Sequence, residues 1–259
     1  MKELVLYIHS KGGSAAESEH YRPLFPDCEV FGLDYQTFTP WETGAEICQA
    51  VEKLKLEYEN ITLIANSIGA YFSMNAGIDA MVQKAYFISP IVNMEKLITD
   101  MMQWANITEE DLKTKGIIRT AFGENLSWEY LCYVRSHTTD WMVTTQILYG
   151  SRDNLTSFET IHDFTKNHNA MLTVMEGGEH WFHTDEQIQF LDDWSEERKR
   201  NGLKTVYAGN LQIPGRSADC WTAAVSACRD IRLAAGVAVA GDSLCPDVHR
   251  RIDHDEKSS

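Results

Sequence analysis

A serine, an aspartate and a histidine, the residue types of nucleophilic acyl chemistry, occur in that order at the ends of apolar runs in this chain. Ser67 lies in Ile61-Thr-Leu-Ile-Ala-Asn-Ser-Ile-Gly-Ala70, where an apolar run passes directly into a helical pattern. A serine on so sharp a strand-to-helix turn is held in strained backbone geometry with its hydroxyl exposed. The turn needs small residues two before and two after the serine, because strand and helix backbones approach closely there. Ala65 and Gly69 meet that need, with alanine standing at the first glycine of the common G-x-S-x-G pattern. The other reading of Ser67 is a cap of the following helix; the strand-helix context favours the nucleophile.

A serine hydroxyl is a weak nucleophile until a base, oriented by an acid, takes its proton. Asp153 closes Ile147-Leu-Tyr-Gly-Ser-Arg-Asp153, just past one strand-like run. His180 closes Met175-Glu-Gly-Gly-Glu-His180, just past the next. Both fall at carboxyl ends of strands, where sites on parallel sheets collect. His183 is the rival base, but it directly precedes the helix-capping Thr184 and reads as local packing. Glu176 and Glu179 are alternative acids, too near His180 in sequence to come from a separate strand end. Donors for a developing oxyanion are expected from the Ile68 amide and from the loop His9-Ser-Lys-Gly-Gly13. There Lys11 or Gly12 supplies the second N–H, the glycines letting backbone amides turn inward.

These residues need a frame, and the hydrophobic pattern provides one. Leu4–His9, Glu29–Leu33, Ile61–Ala65, Lys84–Ser89, Thr145–Tyr149 and Met171–Met175 read as short strands. Thr43–Tyr58, Ile68–Gly77, Ser157–Asn167 and Thr184–Lys199 read as helices, the last with a capping box of Thr184 and Gln187. Nearly continuous apolar strands alternating with helices predict an α/β fold, a mostly parallel sheet covered on both faces. The alternation breaks over 91–143, a stretch helical in pattern and rich in Met and Trp, which is expected to form a small cap.

The 259 residues are 44% hydrophobic and 24% charged, enough for a large core. The net charge of −15 repels phosphates and anionic lipid heads, so neither nucleic acid nor membrane is an expected partner. No run approaches the roughly 18 apolar residues of a membrane span. The opening residues do not form a secretory signal, so the six cysteines are read as free thiols in a cytoplasmic protein. Their spacing matches no zinc pattern, and neither metal nor cofactor is expected. Residues 1–200 form the strand-helix unit and carry the whole negative charge. Residues 201–259 have balanced charge, no Phe, half of the cysteines and many small residues. They are expected to lie outside the sheet and to supply no catalytic group.

The pieces His9-Ser-Lys-Gly-Gly13, Ala65-Asn-Ser-Ile-Gly69, Gly150-Ser-Arg-Asp153 and Gly178-Glu-His180 resemble those of the α/β-hydrolase superfamily. The resemblance covers residues 1–200, with Ser10 and Ala65 standing where the superfamily has glycine. It implies Ser67 as nucleophile, Asp153 as acid, His180 as base and an oxyanion hole at Lys11 and Ile68. The expected function is hydrolysis of a small carboxylic ester through an acyl-enzyme, by a chain that forms a homo-oligomer or acts alone. Peptidase, thioesterase and C–C hydrolase chemistry use the same residues, and a non-catalytic hydrolase-like binder of a ligand or partner is the alternative class.

Overall fold

The structure, a computed structural model, describes residues 2–201. In chain order its elements are β1 (Glu3–Ile8), a 3-10 helix (Ala15–Tyr21), β2 (Glu29–Leu33), α1 (Pro40–Leu54), β3 (Asn60–Asn66), α2 (Ile68–Met74) and β4 (Lys84–Ile88). There follow α3 (Met94–Trp104), α4 (Glu109–Lys115), β5 (Ile117–Arg119), β6 (Asn125–Ser127), α5 (Trp128–Ser136), β7 (Thr145–Gly150), α6 (Phe158–Asn167), β8 (Ala170–Met175) and α7 (Asp185–Asn201).

Six strands form one sheet in the order β2-β1-β3-β4-β7-β8, and every neighbouring pair is parallel. From β1 the chain moves one way to β2 and then returns to place β3 on the other side. That reversal makes a switch point between β1 and β3, where the loops after the two strands diverge and leave a crevice. Those loops carry Ser10–Gly13 and Ser67.

Alternate strand residues face two cores. Leu4, Leu6, Ile8, Ile61, Leu63 and Ala65 join α1, α2 and α6 on one face. Val5, Tyr7 and Ile64 meet Tyr21, Phe25, Leu191 and Trp194 on the other, beneath the 3-10 helix and α7. Burial on both faces explains why the strands read as continuous apolar runs.

Several expected boundaries move for local reasons. The helix expected from Thr43 starts at Pro40, because Thr39 accepts a bond from the Glu42 N–H and Pro40 suits the first helical turn. The capping box before α7 is half made. Thr184 Oγ1 accepts from the Gln187 N–H at 3.3 Å, but the Gln187 side-chain oxygen is buried with no partner.

The stretch 91–143 is not wholly helical. Between α4 and α5, β5 and β6 pair antiparallel, pairing Ile118 with Leu126. The hairpin turns at Thr120–Glu124, where Gly123 has φ of 92° and Thr120 N–H donates to the Glu124 carbonyl at 2.8 Å. Three-residue strands are too short to show a period of two, so the pattern there reads as helix.

Among the described residues, Cys28, Cys48 and Cys132 are in no disulfide. Among the same residues, no helix is long and apolar enough to cross a membrane. Apart from Asn201 at the end of α7, the expectation for residues 201–259 lies outside the described residues.

Candidate active site

β3 ends on Asn66 and α2 begins on Ile68, so Ser67 alone makes the corner, with φ of 52° and ψ of −118°. A non-glycine residue held there stores about 1–3 kcal/mol of strain, which the surroundings must sustain. Two backbone bonds do so. Ser67 N–H donates to the Ile88 carbonyl at 2.9 Å, and Ile91 N–H donates to the Ser67 carbonyl at 3.1 Å. Gly69 is dictated by close approach: a Cβ there would sit 2.6 Å from the His9 carbonyl oxygen and 2.7 Å from that of Ile8. Ala65 is fully buried in the core, where its methyl is accommodated.

Asp153 follows β7 in a tight turn, its N–H donating to the Gly150 carbonyl at 2.9 Å. One carboxylate oxygen accepts the N–H groups of Leu155 and Thr156 at 2.8 and 3.0 Å. The other lies 2.7 Å from His180 Nδ1. His180 arrives from the loop after β8, which the Arg152 N–H joins to the β7 loop by a 2.8 Å bond to the Gly178 carbonyl. The two loops are so close that a Cβ on Gly150 would meet the Gly178 carbonyl oxygen at 2.4 Å.

His180 Nε2 lies 2.9 Å from Ser67 Oγ. A carboxylate at Nδ1 makes that nitrogen the donor, so Nε2 of the neutral ring is an acceptor facing the serine hydroxyl. The His180 and Asp153 side chains are 1% and 0% exposed, which strengthens each polar contact by excluding water. His183 is elsewhere: it is exposed, with Nδ1 3.6 Å from Glu179 Oε2. Glu176 is exposed too.

The loop after β1 makes a turn in which Gly13 N–H donates to the Ser10 carbonyl at 3.0 Å. Gly12, third in that turn, has φ of 82°, a position that calls for glycine. The turn's own bond leaves the N–H groups of Lys11 and Gly12 outside it. The Ile68 N–H is the first of α2 and has no carbonyl four residues back within the helix. The Lys11 ammonium pairs with Glu124 at the tip of the β5–β6 hairpin, so the insertion is tied to this loop.

Three residues around the site carry no simple sequence signal. His9 Nδ1 donates to its neighbour's carbonyl at 2.8 Å, and its ring stacks on Tyr35 at 4.1 Å. The Tyr35 hydroxyl returns to the His9 carbonyl at 2.7 Å. Ser89, just past β4, has φ of 43° and a fully buried hydroxyl without a partner among the described residues. Glu17 does have one: Ser14-Ala-Ala-Glu17 is a capping-box spacing, overlooked beside the glycines of the preceding loop.

The insertion buries its large side chains in the core it shares with the sheet. Met94, Met102 and Trp141 are buried, while Met101, Trp104, Trp128 and Tyr130 pack partly buried against the same core. Tyr130 and Tyr133 of α5 contact the Trp41 ring at 5.8 and 5.0 Å. Arg135 joins α5 to α3 and α4 through Glu95 at 2.8 Å and Glu109 at 2.7 Å.

Solved structures with this architecture are α/β-hydrolases, and the chain has the α/β-hydrolase fold. Est1E from Butyrivibrio proteoclasticus matches with a TM-score of 0.65 at 16% identity, over 76% of this chain and 87% of that one. Mouse alpha/beta hydrolase domain-containing protein 10 matches with 0.60 at 13%, over 75% and 88%. A lipase-esterase related protein from Clostridium acetobutylicum ATCC 824 matches with 0.53 at 17%, over 76% and 93%. No protein-family model matches the sequence, and a search of curated proteins finds no relative.

Proposed function

We propose that the chain is a serine hydrolase that cleaves a small carboxylic ester through an acyl-enzyme. The observation that carries this reading is the continuous contact from Ser67 Oγ to His180 Nε2 at 2.9 Å and from His180 Nδ1 to Asp153 at 2.7 Å, with the serine on a strained corner. A capping serine needs neither a buried imidazole nor left-handed backbone.

In the first half-reaction Ser67 Oγ attacks the ester carbonyl carbon while His180 Nε2 takes the hydroxyl proton. The carbonyl electrons move onto oxygen, and the oxyanion is met by the Ile68 N–H and an N–H of the Lys11–Gly12 turn. Collapse breaks the bond to the alcohol, which leaves with the proton from His180. In the second half-reaction His180 deprotonates water, which attacks the acyl group on Ser67. The carboxylic acid departs and the proton returns to Ser67. Asp153 fixes the tautomer and stabilises the imidazolium without becoming protonated itself.

The substrate class follows from environment and likeness. A net charge of −15 disfavours polyanionic substrates. Est1E has been captured with ferulic acid, a carboxylic acid, and another neighbour is described as lipase-esterase related. The test is turnover of p-nitrophenyl esters of graded chain length by the wild type and by Ser67→Ala. Turnover that disappears in Ser67→Ala supports the reading; equal turnover in both overturns it.

A further inference from the structure

Between the loop after β1 and the nucleophile's corner lies a polar chain that the proposed chemistry leaves unused. Glu17, on the 3-10 helix, accepts the Ser14 N–H on Oε1 at 3.1 Å. Its Oε2 accepts the Tyr7 hydroxyl at 2.5 Å. The carboxylate fills the space beside the loop: a Cβ on Gly13 would meet Oε1 at 2.6 Å. A side chain at Gly13 would therefore push this carboxylate aside, whereas Gly12 is required by its backbone angle.

Tyr7 is 1% exposed and stands on β1, beside β3. β3, which pairs with β1 at Tyr7–Ile64 and Ile8–Ala65, ends on Asn66, the residue before the nucleophile. Burial, with the Tyr21 hydroxyl and the Glu17 carboxylate beside it, raises the Tyr7 hydroxyl well above the usual phenol range. The link thus runs from the Ser14 amide through Glu17 to Tyr7 on β1, whose neighbour β3 leads into the nucleophile's corner. At one end is the turn bearing Lys11 and Gly12, and at the other is the start of α2 bearing Ile68. A donor displaced from the oxyanion's position loses most of its value, so the spacing of the two halves is what this link can set.

We infer that Glu17 and Tyr7 form a positioning pair that fixes the Lys11–Gly13 turn relative to the Ser67–Ile68 corner, and so sets the width of the oxyanion hole. The inference rests on the hydrolase reading and adds two residues to it, neither of which touches substrate.

The experiment compares full-length wild type with Glu17→Gln, Glu17→Ala, Tyr7→Phe and the Tyr7→Phe/Glu17→Ala double variant. Active sites are counted with a fluorophosphonate, so rates refer to folded protein. Hydrolysis of p-nitrophenyl acetate gives kcat and KM, and a trifluoromethyl ketone, which binds as a tetrahedral oxyanion, reports on the hole directly. In Glu17→Ala, kcat and ketone affinity are expected to fall together by about 10- to 100-fold, with KM within about threefold. Glu17→Gln, which keeps an acceptor for Ser14, should recover part of that loss. Tyr7→Phe should resemble Glu17→Ala, and the double variant should be no worse than the poorer single one.

Glu17→Ala with wild-type kcat per titrated site overturns the inference, even if its Tm falls, because that is what a merely structural cap gives. Independent losses that multiply in the double variant overturn it as well. A wild type that neither reacts with the fluorophosphonate nor turns over ester fails differently: it removes the hydrolase reading and this inference with it.

Discussion

Ser67 and Ser89 stand at the ends of neighbouring strands with both backbones in the left-handed region, φ of 52° and 43°. Their strands register Asn66 opposite Ile88, so each serine is the first residue past the pairing. The two are braced together, since Ile88 and Ile91, on either side of Ser89 and Pro90, hold the N–H and C=O of Ser67. The backbone turn at Ser89 is what brings Ile91 back across the corner. Its hydroxyl, by contrast, is buried without a partner among the described residues.

It follows that backbone and hydroxyl at position 89 separate experimentally. Ser89→Ala removes an unsatisfied group and should leave stability equal or higher, with turnover near wild type. Ser89→Val forces a β-branched residue into positive φ and should cost about 1–3 kcal/mol in urea unfolding. A marked loss of turnover in a stable Ser89→Ala protein would show that the hydroxyl matters to the chemistry.

His180→Ala should reduce ester turnover as severely as Ser67→Ala, whereas His183→Ala should be nearly silent. The reason is position: one imidazole is buried between Ser67 and Asp153, and the other is exposed beside Glu179. Initial rates of the three purified variants decide it. The reverse ranking would move the base to His183.

Asp153→Asn places a carboxamide where His180 Nδ1 needs an acceptor. An amide nitrogen turned toward the ring would select the wrong tautomer, and the comparable change in a serine protease costs on the order of 10⁴ in kcat. A similar loss is expected here, with Tm changed far less than kcat. Measured kcat within tenfold of wild type would assign the orienting role to another group.

The insertion should respond to acid through Arg135. Its pairing with Glu109 holds that carboxyl below the ordinary range, through the side-chain bond to the guanidinium. A carboxyl with a lowered folded pKa adds stability above its unfolded value and loses it as pH falls through the folded one. Arg135→Gln should therefore lower Tm at neutral pH, and the difference from wild type should close as pH drops below about 4. An equal Tm deficit at every pH would show that Arg135 acts through packing of its stem.

Gly69→Ala tests the corner's close packing. The added Cβ would run into backbone oxygens of Ile8 and His9, which cannot swing aside as a side chain can. A loss of about 1–3 kcal/mol or more is expected, with turnover reduced in the folded fraction. Wild-type stability would mean that α2 can retreat from β1.

Much of this architecture is readable in the chain because its strands are buried on both faces. Leu4–Ile8 is apolar throughout and Ile61–Ala65 is broken only by Thr62, and the loops between the strands carry the turn glycines. The spacing that brings Ser67, Asp153 and His180 together is likewise a matter of strand ends, which the apolar runs mark. The β5–β6 hairpin is hidden because three residues cannot display a period. Ser89 is hidden because a positive φ in a serine arises from the surrounding fold and not from residue type. Glu17 escapes for a different reason: a capping spacing shows that a carboxylate reaches back along the chain, but not that a tyrosine from β1 meets it. Tertiary contacts between distant segments leave no local trace.

The most direct measurement is intact-mass and peptide-mapping analysis after reaction with a fluorophosphonate. An activated Ser67 predicts one adduct per folded chain, located on the peptide containing Ser67. The adduct should be absent in Ser67→Ala and form far more slowly in His180→Ala. Folded wild type that takes up no adduct, or Ser67→Ala that is modified as fully as wild type, would contradict it.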